Sequence, residues 1–170
     1  MLMKVFVALC VFAYSHFACA ETEWEKYLTY PTSQQAVRVN KIEHSFAKDE
    51  AGGDQELQIL QNQVLAQDAQ AFRLAYRLYQ SADGALAEDL GALLARTIRV
   101  NPLFFLRQVA TLNVPCSKIA WVLNTPGLEY TDLPSASHYE IQMRRKALNG
   151  VKVKELSVLR DQCLKALHDD

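Results

Sequence analysis

Apolar residues recur along this chain at intervals of three and four, the spacing that lines one face of an α-helix. Leu57, Leu60 and Val64 form one such stripe, and Leu86, Leu90, Leu93, Leu94 and Ile98 form another. A third runs through Leu103, Phe105, Leu106, Val109 and Leu112; a fourth joins Val153, Leu156, Leu159, Cys163, Leu164 and Leu167. From Phe72 to Tyr79 the apolar positions cover more than half of the helix circumference, which predicts a helix packed on two sides. Valine alternates with polar residues around Val37 to Val39 and Val151 to Val153, but neither run has the length or the flanking turns of a hairpin strand.

Polar residues punctuate these stripes. Thr32 and Gln35 have capping-box spacing ahead of a helix carrying Val39, Ile42 and Phe46. Ala51-Gly52-Gly53 is expected to break the pattern, with Asp54 capping the next helix. Asp68 is placed to cap the two-sided helix, and Asp83-Gly84 predicts a turn after it. Asn101-Pro102 is the sharpest boundary, with Asn as cap and Pro as first helical residue. Pro115 closes that helix, and a short one follows through Ile119, Trp121, Val122 and Leu123. The stretch 124–134, with Pro126-Gly127, reads as the longest loop and the natural place for a binding loop. Ser137 and Glu140 have capping-box spacing for another helix, which Gly150 would end.

The expected fold is all-α: about seven short-to-medium helices in an orthogonal helical array or a short HEAT-like α-solenoid, with one disulfide. Helices open near Asp68, Asn101 and Pro134 at intervals of about 33 residues, a helical-hairpin period. That cadence resembles HEAT-like or tetratricopeptide arrays, although no signature residues repeat. The expected division is a leader at 1–20, an N-terminal segment at 21–53 with one helix and a Gly-rich linker, and a helical core at 54–170.

The leader rests on Lys4, an apolar run over 5–17, and Ala18-Cys19-Ala20 as a cleavage site. That run is shorter than the roughly 20 residues of a spanning helix. It predicts export to the periplasm or outside the cell, with no transmembrane anchor after cleavage. A lipobox at Cys19 fits poorly, because His16 stands where an aliphatic residue belongs. Cys10 and Cys19 leave with the leader; in an oxidising compartment Cys116 and Cys163 are expected to pair.

The formal charge is −1, or −2 once Lys4 is removed, which gives no global field for nucleic acid. His44, His138 and His168 share no metal-ligand spacing, so neither metal nor cofactor is expected. Asp83, Glu88 and Asp89 cluster around the Asp-Gly turn as candidates for acid chemistry, although helix-dipole stabilisation suffices to explain them. Arg144, Arg145, Lys146, Lys152 and Lys154 form the most localised basic stretch, a surface for an anionic partner or a dipole-complementing helix end. Trp24 and Phe104 are the apolar candidates for partner contact, Phe104 because its neighbour Phe105 belongs to the core stripe. The resulting expectation is an exported, non-catalytic α-helical protein that binds a protein partner, with inhibitor or immunity-type action as one form of that task. The alternative is a small secreted hydrolase using the carboxylates near Asp83.

Overall fold

Helices in this chain begin where a short polar side chain can take up free backbone N–H groups. The computed structural model describes residues 21–40, 50–127, 130 and 132–167 and contains no strand among them. In α1 (Glu23–Thr29), Glu25 N–H donates to Thr22 Oγ1 at 3.1 Å and Thr22 N–H donates to Glu25 Oε2 at 2.6 Å, a complete capping box. At α2 (Ser33–Asn40) the predicted box is half made: Gln35 N–H donates to Thr32 Oγ1 at 3.3 Å, while Gln35 Oε1 accepts nothing among the described residues.

α3 (Glu50–Leu65) is followed by α4 (Ala69–Ser81), where Asp68 Oδ1 accepts from Gln70 N–H at 2.8 Å and Ala71 N–H at 2.9 Å. The Ser33 hydroxyl donates to the other oxygen of Asp68, so one carboxylate ties the starts of α2 and α4 together. α5 (Gly84–Val100) opens on Gly84 at φ +51°, a left-handed conformation that glycine adopts without strain, as the Asp83-Gly84 pair predicts. α6 (Pro102–Leu112) has Asn101 Oδ1 accepting from Phe104 N–H at 3.0 Å and Pro102 in its first turn. A 3-10 turn (Cys116–Ile119) leads into α7 (Ala120–Asn124). Beyond it lie α8 (Pro134–Gly150), a second 3-10 turn (Lys154–Leu156) and α9 (Ser157–Ala166).

Three expectations are corrected. Gly52, Gly53 and Asp54 lie inside α3, so no Gly-rich linker or Asp54 cap interrupts the chain there. Each helical glycine costs about 1 kcal/mol, less than burying any one of Leu57, Leu60 or Val64 in the same helix returns. α8 starts at Pro134, ahead of Ser137. Proline supplies the helical φ there, while Ser137 Oγ donates to Tyr130 O at 3.0 Å and Glu140 pairs with arginines. Nine helices are present among the described residues rather than about seven; α1, with seven residues, and α7, with five, are short pieces that periodicity alone does not resolve. The leader, Ile42, Phe46, His44 and His168 lie outside the described residues.

α4 and α5 are central. α4 packs on α2, α3, α5 and α6, as its wide apolar stripe predicts, and α5 packs on α3, α4, α6, α7 and α8. One hydrophobic cluster joins Tyr27 and Val39 of the first two helices to Leu60, Phe72, Leu94, Phe105 and Leu123. Tyr27 is fully buried and its hydroxyl has no hydrogen-bond partner among the described residues. Burial first, and the charge of Asp68 second, raise its phenol well above the ordinary value. Cys116 and Cys163 are buried and lie at disulfide distance with Cα atoms 4.9 Å apart, linking the turn before α7 to α9.

Arginines from neighbouring helices finish several helix ends, where the last carbonyls lack intrahelical donors. Arg77 donates to Val39 O at 3.0 Å, at the end of α2. Arg145 donates to Leu167 O at 2.9 Å beyond α9, and Arg160 to Val151 O at 2.8 Å beyond α8. No helix among the described residues is long and apolar enough to cross a membrane.

Candidate functional site

Phase along α8 separates Arg144, Arg145 and Lys146, three of the five expected surface cations; Lys152 and Lys154 follow the helix. Arg144 turns inward and is 1% exposed. Its Nε donates to Glu140 Oε1 at 3.1 Å, and its Nη1 donates to Leu123 O at 2.9 Å and Thr125 O at 2.7 Å. Nη2 donates to Pro126 O at 3.2 Å. One side chain thus caps α7 and pins the loop that follows it. Arg145 is half-buried and caps α9 as described. Both therefore leave the expected docking surface, because each is committed to backbone carbonyls. Lys146, Lys152 and Lys154 are exposed, and among the described residues Lys152 Nζ donates to Asn149 O, at 2.8 Å, three residues away.

The apolar candidates are corrected in the same direction. Trp24 is 4% exposed and packs beside Tyr27 with ring centroids 5.7 Å apart. Phe104 is half-buried and meets Phe72 edge to face, with centroids 5.7 Å apart, so both aromatics of the Phe104-Phe105 pair serve the core. Asp83 and Glu88 are exposed and Asp89 is half-buried. None of the three lines the open cleft of about 200 Å³ between α5 and α8. Nor do they line an apolar void of about 10 Å³ around Phe72, Leu94, Phe105 and Val122, too small to hold more than one water. His138 is exposed on α8, and no group of three or more His, Cys, Asp or Glu side chains converges on a metal position among the described residues.

Tyr30, Tyr139 and Trp121 are exposed aromatics among the described residues, and of these Trp121, on α7, is held by packing from two other helices. It is 46% exposed although it belongs to an otherwise apolar short helix. Its ring is stacked on Tyr79 with centroids 5.9 Å apart and an interplanar angle of 15°. A Cβ added to Gly91 would stand 2.3 Å from Trp121 Cζ3 and 3.2 Å from each of Cε3 and Cη2. Equal distances to the two flanking carbons, each well beyond the distance to Cζ3, put the missing methyl in the plane of the indole, off its six-membered edge. The indole therefore rests edge-on against the bare backbone of α5 and face-on against α4. A glycine in the middle of the leucine-rich α5 was the available signal, since that residue weakens a helix unless something approaches it closely.

A second surface feature is polar. Glu140 is 8% exposed and shared between two arginines: Oε1 accepts from Arg144, and Oε2 from Arg99 Nη1 of α5. This joins α5 to α8 through a carboxylate lying 41 residues from Arg99 in sequence. Comparison with protein-family models, characterised proteins and solved structures gives no match for this chain.

Proposed function

We propose that this chain is an exported, non-catalytic helical protein that holds a protein partner through a surface centred on Trp121 and Tyr79. The observation that carries the reading is the seat of Trp121: a large indole kept nearly half exposed, fixed by a stacked tyrosine and by a glycine inside a helix. Tryptophan and tyrosine are enriched at binding hot spots because they offer large contact area at little loss of side-chain entropy. An indole already fixed at one edge and one face has still less freedom to lose on binding. Lys146, Lys152 and Lys154 remain as the exposed basic part of the surface, suited to the rim of a contact.

Export is supported by the charged and apolar pattern of residues 1–20 and by a buried cysteine pair at bonding distance. For the scaffold we propose an irregular orthogonal array rather than a solenoid, since α5 meets α3, α4, α6, α7 and α8. A solenoid helix meets chiefly its neighbouring repeats.

The test is affinity capture from an envelope or secreted fraction with oxidised protein beginning at Glu21, run beside Trp121→Ala and Gly91→Ala. The first variant deletes the indole and the second displaces it. Expected is one stoichiometric protein recovered by the wild type and lost by Trp121→Ala while that variant still melts cooperatively. Equal recovery by all three removes Trp121 from the reading, and absence of any partner removes the binding role. Recovery of the protein with its N-terminus still at Met1 would overturn the cleaved leader at 1–20 and remove the argument for export that rests on it.

A further inference from the structure

Trp121 rides on a piece of chain too short to hold its own shape. The 3-10 turn Cys116–Ile119 has four residues and α7 has five, well below the length at which a helix is stable alone. Ile119, Val122 and Leu123 bury its inner side, and both ends are tied to other elements. At the downstream end Arg144 donates to the carbonyls of Leu123 and Thr125, and Asn124 Nδ2 donates to Ala166 O of α9 at 2.8 Å. At the upstream end Cys116 stands at disulfide distance from Cys163 of α9. Trp121 lies between these two sets of ties. The groups it rests on, Tyr79 and Gly91, belong to α4 and α5. Both helices lie outside the loop, spanning 47 positions, that a Cys116–Cys163 bond closes.

We infer that the cysteine pair is a redox-dependent positioning device for Trp121. With the bond formed the indole is held on its seat; with two thiols the segment 116–125 works loose from its upstream end. The bond forms by exchange with a carrier disulfide. One cysteine thiolate attacks a carrier sulfur and displaces the other as a thiolate, giving a mixed disulfide. The second cysteine thiolate then attacks the protein sulfur of that intermediate. The two cysteines are oxidised, their two protons pass to the carrier, and the carrier leaves as a dithiol.

Burial sets the direction of this device. Cys116 is 1% exposed and Cys163 is fully buried, so a bond made during folding is shielded from later attack. The pair therefore fixes the state of the seat once, as the chain matures. Loss of the bond should act locally, because a crosslink mainly restricts the open states of the loop it closes, and the short segment is the part of that loop least able to order itself. The reduced pair also keeps an acceptor: Leu159 O lies 3.6 Å from Cys116 Sγ and can take the thiol proton. The consequence for binding rests on the partner surface proposed above. A loose indole must lose on binding the freedom that a seated one has already lost.

The experiment labels the protein beginning at Glu21 with fluorotryptophan and reads it by fluorine NMR in three forms. These are the oxidised protein, the protein refolded in excess dithiothreitol, and Cys116→Ala with Cys163→Ala under oxidising conditions. The chain has two tryptophans, and Trp24, buried in α1 beside α2, is the internal control; Trp121→Phe assigns the signals. Expected in both bond-free forms is a Trp121 resonance that shifts or broadens while that of Trp24 stays. The amide of Thr125, which donates to Trp121 O at 2.8 Å, should exchange at least about tenfold faster. Where the two bond-free forms differ, the reduced wild type decides, since it keeps both sulfur atoms. An unmoved Trp121 resonance with unchanged Thr125 exchange overturns the device. So does a Trp24 resonance that moves together with Trp121, which would make the bond a staple of the whole domain. Affinity capture is then repeated with the reduced protein. Loss of the partner supports both readings, whereas full recovery by a protein whose Trp121 is loose overturns the partner surface and leaves the device standing.

Discussion

Two sets of cations share the eleven residues from 144 to 154, and they live in different environments. Arg144 and Arg145 point into the fold and end on backbone carbonyls of α7, α9 and the adjoining loop. Lys146, Lys152 and Lys154 point into water. Helical phase decides part of this, since Arg144 lies one turn after Glu140 and shares its inward face. Side-chain chemistry decides the rest. A guanidinium can serve several carbonyls at once from a fixed plane, whereas an ammonium is a compact, strongly hydrated point charge. A run of basic residues is thus not a patch until the acceptors each one reaches have been counted.

Arg144→Ala should separate the two sets most strongly. It leaves Oε1 of the nearly buried Glu140 without Arg144, with Arg99 alone still paired at Oε2, and strips donors from the carbonyls of Leu123, Thr125 and Pro126. Breaking a buried pair from one side costs about 3–5 kcal/mol, which urea denaturation would read as a large fall in midpoint. Removing both partners together, as Glu140→Gln with Arg144→Met, should recover part of that loss, because no uncompensated charge stays inside. A loss below about 1 kcal/mol for Arg144→Ala would mean the clamp contributes little and would dissolve the contrast. Arg145→Ala comes next. It gives up one good charged hydrogen bond, to Leu167 O at 2.9 Å, and a long one to Leu164 O at 3.4 Å. About 1–2 kcal/mol is expected, with hydrogen exchange quickening first at the end of α9.

Tyr27 tests the converse, an inward polar group without an acceptor. Tyr27→Phe removes a buried, unpaired hydroxyl and should leave stability equal or raise it by up to about 1 kcal/mol near neutral pH. The alkaline limb sharpens this further. The folded phenol holds its proton above the value of the unfolded one, so its contribution is present below about pH 10 and declines as the pH rises beyond it. Tyr27→Phe should flatten that decline. Tyr76 and Tyr79, also raised by burial, would keep a residue of it with the same sign. An unchanged alkaline slope would mean the Tyr27 hydroxyl is paired in solution.

Most of the helical plan was legible because its signals are local. Asp68 and Asn101-Pro102 mark helix starts with the residues that make the cap, and the wide stripe from Phe72 to Tyr79 identifies α4 as central. Local signals failed where tertiary contacts outweigh them. Gly52 and Gly53 lie inside a helix that its leucines stabilise, and Ser137 with Glu140 has the spacing of a cap whose groups find better partners elsewhere. The site was less legible. Glu140 and Arg144 are four apart and could have been read as a pair, but Arg99, the third member, is distant in sequence. Trp121 looked like one more apolar residue of a short helix. Its exposure depends on Gly91 and Tyr79, which belong to other helices and are brought to it only by folding.

The smallest effect is expected at the lysines, and it completes the comparison. Replacing Lys146, Lys152 and Lys154 together with Gln removes three charges but only one described hydrogen bond, from Lys152 to the local Asn149 carbonyl. Each should stay within the roughly 0.5 kcal/mol of ordinary surface substitutions, so the triple variant should melt close to the wild type, and closer still in high salt, where exposed charges are screened. The same protein should then lose partner association rate while Trp121→Ala loses residence time, since rim charges steer encounter and buried aromatics hold the complex. Surface plasmon resonance on the captured partner reads both. A triple variant destabilised as much as Arg145→Ala would place the lysines among the clamps and leave no outward basic surface on α8 and the turn that follows.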